Sequence, residues 1–482
     1  MTHDTSLLYS QARSVLADIF TRILVDDPDI RFEDFENKSI RTAHELTALA
    51  IGEALEQYDK LICSELPEGY RVHDRRSRTM ATEVGDITFS WRRINGPHGY
   101  SIPLADTLDV PWGCRVSPGA SDFLLAAGAE VSYLRAARLL ERKGGSRVSA
   151  STVMAIMRQY GDLCCQDDER RASTLYDLGV VPDGQTQVEE ICVEADGTWI
   201  PLQNQPAGSA KRVEIKALVA YSGKVKKGRK VKREQVIHHG CVGTPNEFWP
   251  QGIAAVGTKF DLSKVDSVHL GTDGESWCKH GVAWFPMRMD VAGHLDPFHV
   301  NRAVLSCFAD PKEGWKILEV LLDGDKEEAV VLLEICRDAG IAREKNANRV
   351  IGYLRNNMPL IGTPGPSLGT MESENQHLYS ARMESVPCAW SRRGVSDMAR
   401  IRSRIHSKRS IPRRSRTNSV TPRRQRLQEA AEIKCYSQLS SSAEVVKSVG
   451  SGYLPKQANI ANLAADIRHA ANVNGGMVKL QG

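Results

Sequence analysis

Apolar residues recur every three to four positions over the first part of the chain, which is the spacing of amphipathic helices. The pattern is clearest in ARSVLADIFTRILV and TAHELTALAIGEALEQYDKLI. Alternation of apolar and polar residues then predicts strands in RVHDRRSRTMATEVGDITFSWRRI, with a turn at Gly85. We therefore expect a helical region over residues 1–70 and a small, basic, β-containing segment over residues 71–118.

Residues 119–185 are again predicted to be helical, with a turn around Ser132. Ser149 is a favourable N-cap for a last helix over 150–160, and Gly161 is a favourable stop. This order resembles a helix-turn-helix whose recognition helix is 150–160, and an ordinary helical bundle explains the pattern equally well. Five basic residues favour DNA binding, namely Arg138, Arg142, Lys143, Arg147 and Arg158.

The sequence becomes β-rich at about residue 186. Three antiparallel strands are predicted from VEEICVEADGTWIPLQ, RVEIKALVAYSGKV and REQVIHHGCVG, with the basic turn KVKKGRKVKR before the third. A helix is expected in FWPQGIAAVGTKF, a fourth strand in VDSVHLGTDGESW, and a short strand followed by a helix in DVAGHLDPFHVNRAVL. This order of elements, with acids at the ends of strands, is that of an α/β domain with a ribonuclease-H-like fold.

Helical sequence resumes over about residues 300–366, with GWKILEVLLDGDKEEAVVLLEICRDAG as its clearest part. It is predicted to be an insertion within a catalytic domain of residues 186–390. The remaining residues, 391–482, are predicted to form a basic tail and a C-terminal segment. Because its many arginines repel each other and little apolar surface is available, we expect the tail to be mobile without DNA and to bind phosphate groups along DNA.

Composition narrows the class of protein. The 482 residues are 41% hydrophobic and 25% charged, which is ordinary for a soluble globular protein. No apolar run reaches the length of a membrane span, and the 11 cysteines include no C-x-x-C pair. The net charge of +4 says little about partners, and the distribution of the arginines says more. We expect a bacterial cytoplasmic, nucleoid-associated protein with no membrane partner.

Two aspartates follow predicted strands, and a glycine follows each aspartate. Asp196 lies in ICVEADGTWI and Asp273 in SVHLGTDGESW, so both are expected where the glycine turns the chain at a strand end. One such Asp-Gly is usually a simple turn, whereas two in this order are a stronger signal. Neighbouring carboxylates repel each other, and Mg²⁺ both neutralises them and activates the attack on a phosphodiester.

A third carboxylate is expected from a helix in GTMESENQHLYSARM. Glu372 and Glu374 stand two residues apart, so they point in different directions, and periodicity does not decide which one faces the aspartates. A solvated helix start explains both glutamates as well. Asp296 and His299, in LDPFH, are candidates for supporting the metal ligands, and helix capping by Asp296 is at least as good an explanation.

Five stretches of the chain occur in an order that resembles a known family: EADGTWI, GTDGESW, LDPFHVNRAV, GTMESENQHLYSARM and WSRRGVSDMARI. They resemble the signatures of DDE-type insertion-sequence transposases, most closely the ISLre-type family, over roughly residues 70–410. The resemblance implies a ribonuclease-H-like catalytic domain with a helical insertion before the last catalytic residue. It assigns Asp196, Asp273 and Glu372 as catalytic residues and as ligands of Mg²⁺, with Mn²⁺ as an alternative ion.

The function implied by this resemblance is a DNA transposase that cuts the ends of its element and joins them to new DNA. Its partner is double-stranded DNA, and it is expected to act as a homo-oligomer, a dimer, on that DNA. Two alternatives stay open: a catalytically inactive or domesticated DNA-binding protein, and a nuclease of the same fold without strand transfer. The arginines expected to contact DNA are Arg147, Arg158, Arg402, Arg404, Arg413, Arg414, Arg423 and Arg424.

Overall fold

The structure is a computed structural model that describes residues 5–414 except 112, 207, 229 and 385–388. The chain divides into two compact units. Within the described part, unit 1 comprises residues 5–159 with 413 and 414, and unit 2 comprises residues 160–412. Most of the expected basic tail, including Arg423 and Arg424, lies outside the described residues. None of the described helices is long and apolar enough to span a membrane.

Unit 1 combines helices with an antiparallel sheet of order β1-β2-β3. Its elements are α1 (Thr5–Asp26), α2 (Phe32–Ser64), β1 (Arg71–Thr82), β2 (Gly85–Gly96), β3 (Gly99–Ser101), α3 (Pro103–Thr107), α4 (Pro118–Glu130) and α5 (Tyr133–Gly144). A sixth helix, α6 (Ala150–Tyr176), begins in unit 1 and continues into unit 2. The predicted helical N-terminal region is confirmed. The β1–β2 hairpin turns at Gly85, where φ is 119° and a side chain would be strained.

Helix α2 covers backbone groups of β2 that have no strand partner. The carboxylate of Glu56 accepts a hydrogen bond from the N–H of Ser90 at 2.7 Å. Buried Asp59 accepts from the N–H of Arg92 at 3.1 Å and from the guanidinium of the same residue at 2.6 Å. These side chains occupy the edge of the strand, so it is not open to pairing with another chain. Arg92, one of the arginines of this basic segment, therefore has a structural role.

Both later helices of the candidate helix-turn-helix begin with a serine cap; the sequence predicted the cap at Ser149 and a turn at Ser132. The hydroxyl of Ser132 accepts from the N–H of Arg135 at 3.3 Å at the start of α5. Before α6, the hydroxyl of Ser149 accepts from the N–H of Thr152 at 3.1 Å. Each bond satisfies one of the backbone donors that a helix start leaves without an internal partner.

The predicted end of the last helix at Gly161 is wrong. Helix α6 continues through this residue to Tyr176. A side chain at Gly161 would collide with Asp397 of the C-terminal helix of unit 2, since a Cβ atom would lie 2.5 Å from the aspartate Cβ. Close packing between helices therefore explains this glycine, although an interior glycine by itself weakens a helix by about 1 kcal/mol.

Unit 2 is a mixed α/β unit. Its strands are β4 (Glu190–Pro201), β5 (Arg212–Tyr221), β6 (Gly223–Lys227), β7 (Lys230–Glu234), β8 (Ile237–Cys241), β9 (Ser267–Thr272) and β10 (Asp290–Leu295). Its helices after α6 are α7 (Pro245–Gly257), α8 (Ser276–Lys279), α9 (Pro297–Leu305), α10 (Pro311–Leu322), α11 (Lys326–Asp338), α12 (Glu344–Asn357), α13 (Met371–Asn375), α14 (Ala381–Met383) and α15 (Arg392–His406). A π-helical segment, Gln376–Ser380, joins α13 to α14.

The central sheet has the order β10-β9-β4-β5-β8. Strands β4, β9 and β10 are parallel, β5 is antiparallel to β4, and β8 is antiparallel to β5. The predicted mixed α/β class is thereby confirmed. The basic stretch between the second and third predicted strands is more than a turn, because it forms the separate hairpin β6–β7.

The two faces of this sheet differ in polarity because successive side chains of a strand point to opposite faces. One face carries Ile191, Val193, Leu218, Val268 and Leu270, which pack into one core with residues of α7. The other face carries the residues that alternate with them; these include Glu194 on β4 and His269 on β9, whereas those of β5, such as Val219, are apolar. This face is here called the polar face. Helices α9 to α12 form a second core of their own after β10, within the region where helical sequence was expected.

Helix α15 corrects the predicted basic tail. Arg402 and Arg404 are only 3% and 1% exposed, and α15 packs against β8. Arg402 donates to the carbonyl of His377 at 3.1 Å, and Arg404 donates to Asp168 at 2.6 Å. The expected DNA contacts of these two arginines are therefore wrong, because their guanidinium groups bind acceptors inside unit 2.

Candidate active site

Strand register places three aspartates in one row on the polar face. Ala195 of β4 pairs with Thr272 of β9, and Leu295 of β10 pairs with the same threonine. The N–H of the next residue after β10 donates to the Thr272 carbonyl at 2.9 Å, which extends the ladder by one residue. The residues that follow these three positions are Asp196, Asp273 and Asp296, here called the aspartate row.

The position of Asp196 differs from the expected strand end. Strand β4 continues to Pro201 in register with β5, and only its parallel partner β9 ends at this level. Gly197 is part of the strand, whereas Gly274 has a φ of 93° and makes the expected turn after Asp273. The Asp-Gly pattern thus predicted one sharp turn correctly and one wrongly, because pairing with β5 carries β4 past the end of its parallel neighbour.

The aspartate row is electrostatically strained. Burial, followed by the charge of Asp273, raises the pKa of Asp196 to about 6. Hydrogen bonds from the N–H of Gly197 at 2.7 Å and from the side chain of Asn375 at 3.0 Å hold its carboxylate in place. The pKa of Asp296 is also raised, mainly by burial. Unpartnered by a cation, this cluster disfavours full ionisation.

This strain predicts a stability change that depends on pH. Asn at position 196 removes the charge with little change in shape, so Asp196→Asn should stabilise the metal-free protein at pH 7 by about 2 kcal/mol. Since the folded-state pKa is raised to about 6, the gain should be constant above pH 6 and should shrink as pH falls from about 6 toward the unfolded pKa of about 3.9, below which both states are protonated. Urea unfolding midpoints across this range measure the difference, and equal gains at pH 4 and pH 7 would contradict the expected cause.

Glu374 is not the carboxylate that faces the aspartates. Its side chain accepts a hydrogen bond from Nε2 of His238 on β8 at 2.7 Å and forms an ion pair with Arg233 on β7. Although burial raises it, the pKa of Glu374 is lowered to about 2 by the hydrogen bond from His238 and by the charge of Arg233. These interactions connect α13 to β8, the edge strand of the central sheet, and to the separate β6–β7 hairpin.

Glu372 is the other candidate for the third carboxylate. It is exposed, and its charge is among those that raise the pKa of Asp296. Residue Asn375, three positions later and hence on the same side of the helix, reaches Asp196. Glu372 therefore lies on the Asn375 side of α13, close enough for its charge to act on Asp296, whereas Glu374 is held by β7 and β8.

The three residues do not form a ready-made metal site. Among the residues that the structure describes, no three His, Cys, Asp or Glu side chains converge closely enough to hold a metal ion. Asp196 and Asp273 interact, whereas Glu372 remains exposed at the beginning of the short helix α13. The assignment of these three carboxylates as metal ligands stays a prediction.

Sequence reasoning missed Glu194, which shapes this region. Its buried carboxylate accepts hydrogen bonds from the hydroxyls of Tyr221 at 2.6 Å and Thr370 at 2.7 Å. It also accepts from the backbone N–H groups of Gly369 at 2.8 Å and Thr370 at 2.6 Å. These bonds fix the loop that begins α13 and carries Glu372. Its spacing of two residues from Asp196 was the available signal, because such residues share a face of a strand.

Asp296 and His299 lie at the start of α9, where the expected helix cap by Asp296 is present. Asp296 caps α9 by accepting from the N–H of Phe298 at 2.9 Å, and it also belongs to the aspartate row. His299 lies 4.0 Å from the carboxylate of Asp296, and its charge is among the influences that lower the pKa of Asp196. A supporting role for the pair is compatible with this geometry and stays a prediction.

Four further arginines predicted to bind DNA lie within the described residues, and each keeps at least part of its side chain accessible. Arg147 is exposed and forms an ion pair with Glu141 at 2.7 Å, and exposed Arg413 forms one with Asp122 at 2.5 Å. Both are surface pairs of the kind that contributes little to stability. Arg158 and Arg414 are half-buried. DNA contacts by these four residues stay predictions.

Comparison with known proteins gives a family without an assigned activity. The uncharacterised protein family UPF0236 matches residues 26–417, so the chain belongs to this family. A UPF0236 protein of Caldanaerobacter subterraneus subsp. tengcongensis is 24% identical over 365 residues, which cover 73% of this chain and 73% of the relative. A second UPF0236 protein of that organism is 24% identical over 365 residues, covering 73% of this chain and 69% of the relative.

Proposed function

We propose that this member of UPF0236 is a DDE-type DNA transposase that cuts and joins DNA with divalent metal ions. The aspartate row carries the proposal. Asp196 and Asp273 lie on adjacent parallel strands, and the charge of Asp273 helps to raise the pKa of Asp196 to about 6. Buried carboxylates that repel each other in this way are more typical of a functional site than of a structural one.

The order of elements in unit 2 supports the proposal. Strands β4, β5 and β8 form an antiparallel set, α7 follows, and β9 and β10 then lie parallel to β4 on its other side. This is the succession expected of a ribonuclease-H-like domain. Four helices, α9 to α12, precede the glutamate-bearing helix α13, which agrees with the helical insertion expected before the last catalytic residue.

The donor set fits Mg²⁺. Asp196, Asp273 and Glu372 offer only hard carboxylate oxygens, and the first two repel each other in the absence of a cation. When bound, Mg²⁺ or Mn²⁺ supplies the positive charge that activates an attacking hydroxyl and stabilises the leaving oxygen. In this proposal Asp196 and Asp273 provide the fixed side of the site, Glu372 completes it from α13, and Asn375 orients the carboxylate of Asp196.

Cleavage of DNA is the direct test. The purified full chain should cut DNA that carries its gene with the flanking sequence, at defined positions and only with Mg²⁺ or Mn²⁺. A transposase should also join the freed ends to a separate target plasmid, whereas a nuclease of the same fold should only cut. Binding of DNA without cleavage, under conditions in which the metal binds, would favour the inactive DNA-binding protein instead.

Metal binding has a readout that does not require activity. Mg²⁺ should raise the thermal midpoint of the wild-type protein, because a ligand at 100 times its dissociation constant stabilises the folded state by about 2.7 kcal/mol. The response should be much smaller in Asp196→Asn. Asp290→Asn, a control at the opposite end of β10, should respond like the wild type. Equal responses in all three proteins would remove Asp196 from the metal site.

Unit 1 supplies DNA binding in this proposal. The candidate recognition helix is the first part of α6, capped by Ser149, and the exposed Arg147 precedes it. The protein is proposed to act as a dimer on double-stranded DNA. Light scattering of the protein with and without the DNA that it cuts measures this directly, and a monomeric complex at saturating DNA would exclude the dimer.

A further inference from the structure

A pocket of about 500 Å³ opens beside the aspartate row, between α9 and α12. Asp273 lies at one side of it, and its lining also contains His299 and two cationic side chains, Arg302 and Arg349. The two arginines come from different helices, Arg302 from α9 and Arg349 from α12. The helices after β10 therefore bring positive charge next to a residue of the acidic site.

The walls of this pocket are fixed to the strand that carries Asp273. The hydroxyl of Tyr353 on α12 donates to the Asp273 carbonyl at 2.9 Å. The side chain of Asn346 donates to the Ser306 carbonyl at 2.8 Å, which joins α12 to the end of α9. Because both helices are held in this way, the distance from the arginines to the aspartate row is set by the fold.

The two arginines are not neutralised by the protein. Within the described part of the chain, neither Arg302 nor Arg349 forms an ion pair or a side-chain hydrogen bond, and both are exposed. By contrast, Arg355 of the same helix α12 is paired with Glu334 at 2.8 Å, and Arg337 of the neighbouring helix α11 is paired with Asp338 at 2.8 Å. Uncompensated positive charge in a concave surface attracts anions more strongly than the same charge on a flat one.

We propose that this pocket binds a backbone phosphate of the DNA strand that is cut, next to the phosphate undergoing attack. The proposal rests on the proposed function, since it takes the aspartate row as the place of cleavage. Guanidinium groups only donate hydrogen bonds and match phosphate oxygens in paired geometry. Asp273 repels an anion from its own side of the pocket, so the phosphate lies toward Arg302 and Arg349.

Such a contact has a role that the acidic residues cannot fill. Carboxylates hold metal ions but repel the DNA backbone, so the strand must be held by cations a short distance away. A second fixed phosphate sets the angle at which the scissile one approaches the aspartate row, which is the kind of positioning that lowers the barrier to reaction. Arg302 and Arg349 are therefore positioning residues for the substrate.

Salt-dependent binding tests the pocket without cleavage. The probe is a DNA duplex of arbitrary sequence, with the full chain as wild type, as Arg302→Gln/Arg349→Gln and as the control Lys312→Gln/Lys316→Gln. The control removes the same charge from α10, outside the pocket lining. Loss of one phosphate contact should flatten the slope of log affinity against log salt by about 0.9 in the arginine variant. The control should keep the wild-type slope.

Equal slopes in the arginine variant and the wild type would overturn the proposal. An equally large loss in the control would do so too, since the effect would then be general charge. Failure of the wild type to bind DNA with any salt dependence would also reject it. Circular dichroism and urea midpoints like those of the wild type show that the exposed substitutions leave the fold intact.

Cleavage of modified DNA identifies which backbone phosphate the pocket binds. A methylphosphonate, which carries no charge, replaces one phosphate at a time near the cut position of the flanking DNA. At one position it should slow the wild type about 10-fold while adding little to the defect of Arg302→Gln/Arg349→Gln, because both changes remove the same contact. Additive defects at every position would reject the pocket. If the wild type cuts no DNA, the proposed function fails. The salt slopes still show whether the pocket contacts a DNA phosphate.

Discussion

Asp196→Asn should lower the rate of metal-dependent DNA cleavage by about 10²–10⁴-fold, because it removes charge from a metal site that contributes several kcal/mol to the transition state. Asn keeps the size of the side chain, and its oxygen still accepts from the N–H of Gly197; its NH₂ group pairs with Asn375 once that amide turns its oxygen toward it. DNA affinity should change little, since binding rests mainly on cations that contact phosphate. Single-turnover cleavage and equilibrium binding of the same DNA separate the two effects.

The matched control is Asp290→Asn, which makes the same chemical change at the exposed beginning of β10. Asp290 lies at the opposite end of the strand from the aspartate row, so its replacement should leave the cleavage rate unchanged. Wild-type cleavage by Asp196→Asn would show that this carboxylate is not a metal ligand. A parallel fall in cleavage and DNA affinity would indicate general misfolding instead, which the urea midpoints would reveal.

A loss of cleavage like that of Asp196→Asn is expected for Glu372→Gln, because Glu372 is the proposed third metal ligand. Glu374 is bound to His238 and Arg233, so replacing it should disturb the packing of α13 more than the chemistry. The ambiguity between the two glutamates could not be resolved from sequence, because a helix of five residues has too few apolar positions to define a face. The contacts that hold Glu374 are made with β7 and β8, more than 130 residues earlier in the chain, and they leave Glu372 as the candidate.

The sequence predicted the strands of unit 2 well because their apolar runs are short and bounded by turn residues. It also predicted that acids follow β9 and β10. It did not predict that Asp196 lies within a strand, since the length of β4 is set by pairing with β5 rather than by its own residues. Register, which aligns the aspartate row, is a property of three strands together and is not visible in any one of them.

The arginine-rich helix α15 was misjudged for a related reason. Its basic residues resemble an exposed tail until their partners are known, and the acidic partners of Arg400 and Arg404 are in the distant stretch CCQDDERR of α6. Buried Asp168 contacts two arginines of α15, Arg400 at 2.8 Å and Arg404 at 2.6 Å, and also Arg409, which follows the helix, at 3.4 Å. Charge density along a sequence therefore did not distinguish exposed arginines from those that join two helices.

The cluster around Asp168 predicts the largest change in stability. Asp168→Asn leaves buried guanidinium groups without their carboxylate, and such uncompensated charge destabilises a protein by about 3–5 kcal/mol. The control is Asp162→Asn, which removes an exposed ion pair with Arg393 and should cost about 1 kcal/mol or less. Urea unfolding followed by tryptophan fluorescence at pH 7 measures both variants. Similar midpoints for the two would mean that the buried cluster contributes no more than a surface pair.

The same cluster fixes the direction of the pH dependence. Burial alone would raise the pKa of Asp168, but the surrounding positive charges outweigh it and lower that pKa. His239 does not supply this charge at neutral pH, because burial lowers its own pKa to about 3. A carboxyl with a depressed folded-state pKa stabilises the protein above its unfolded pKa, about 3.9, and the contribution is lost as pH falls toward the folded value. The stability gap between wild type and Asp168→Asn should therefore be constant from pH 7 to about 5 and should narrow at lower pH. A gap that widens on acidification would show that Asp168 is protonated in the folded protein and that the arginines are held by other acceptors.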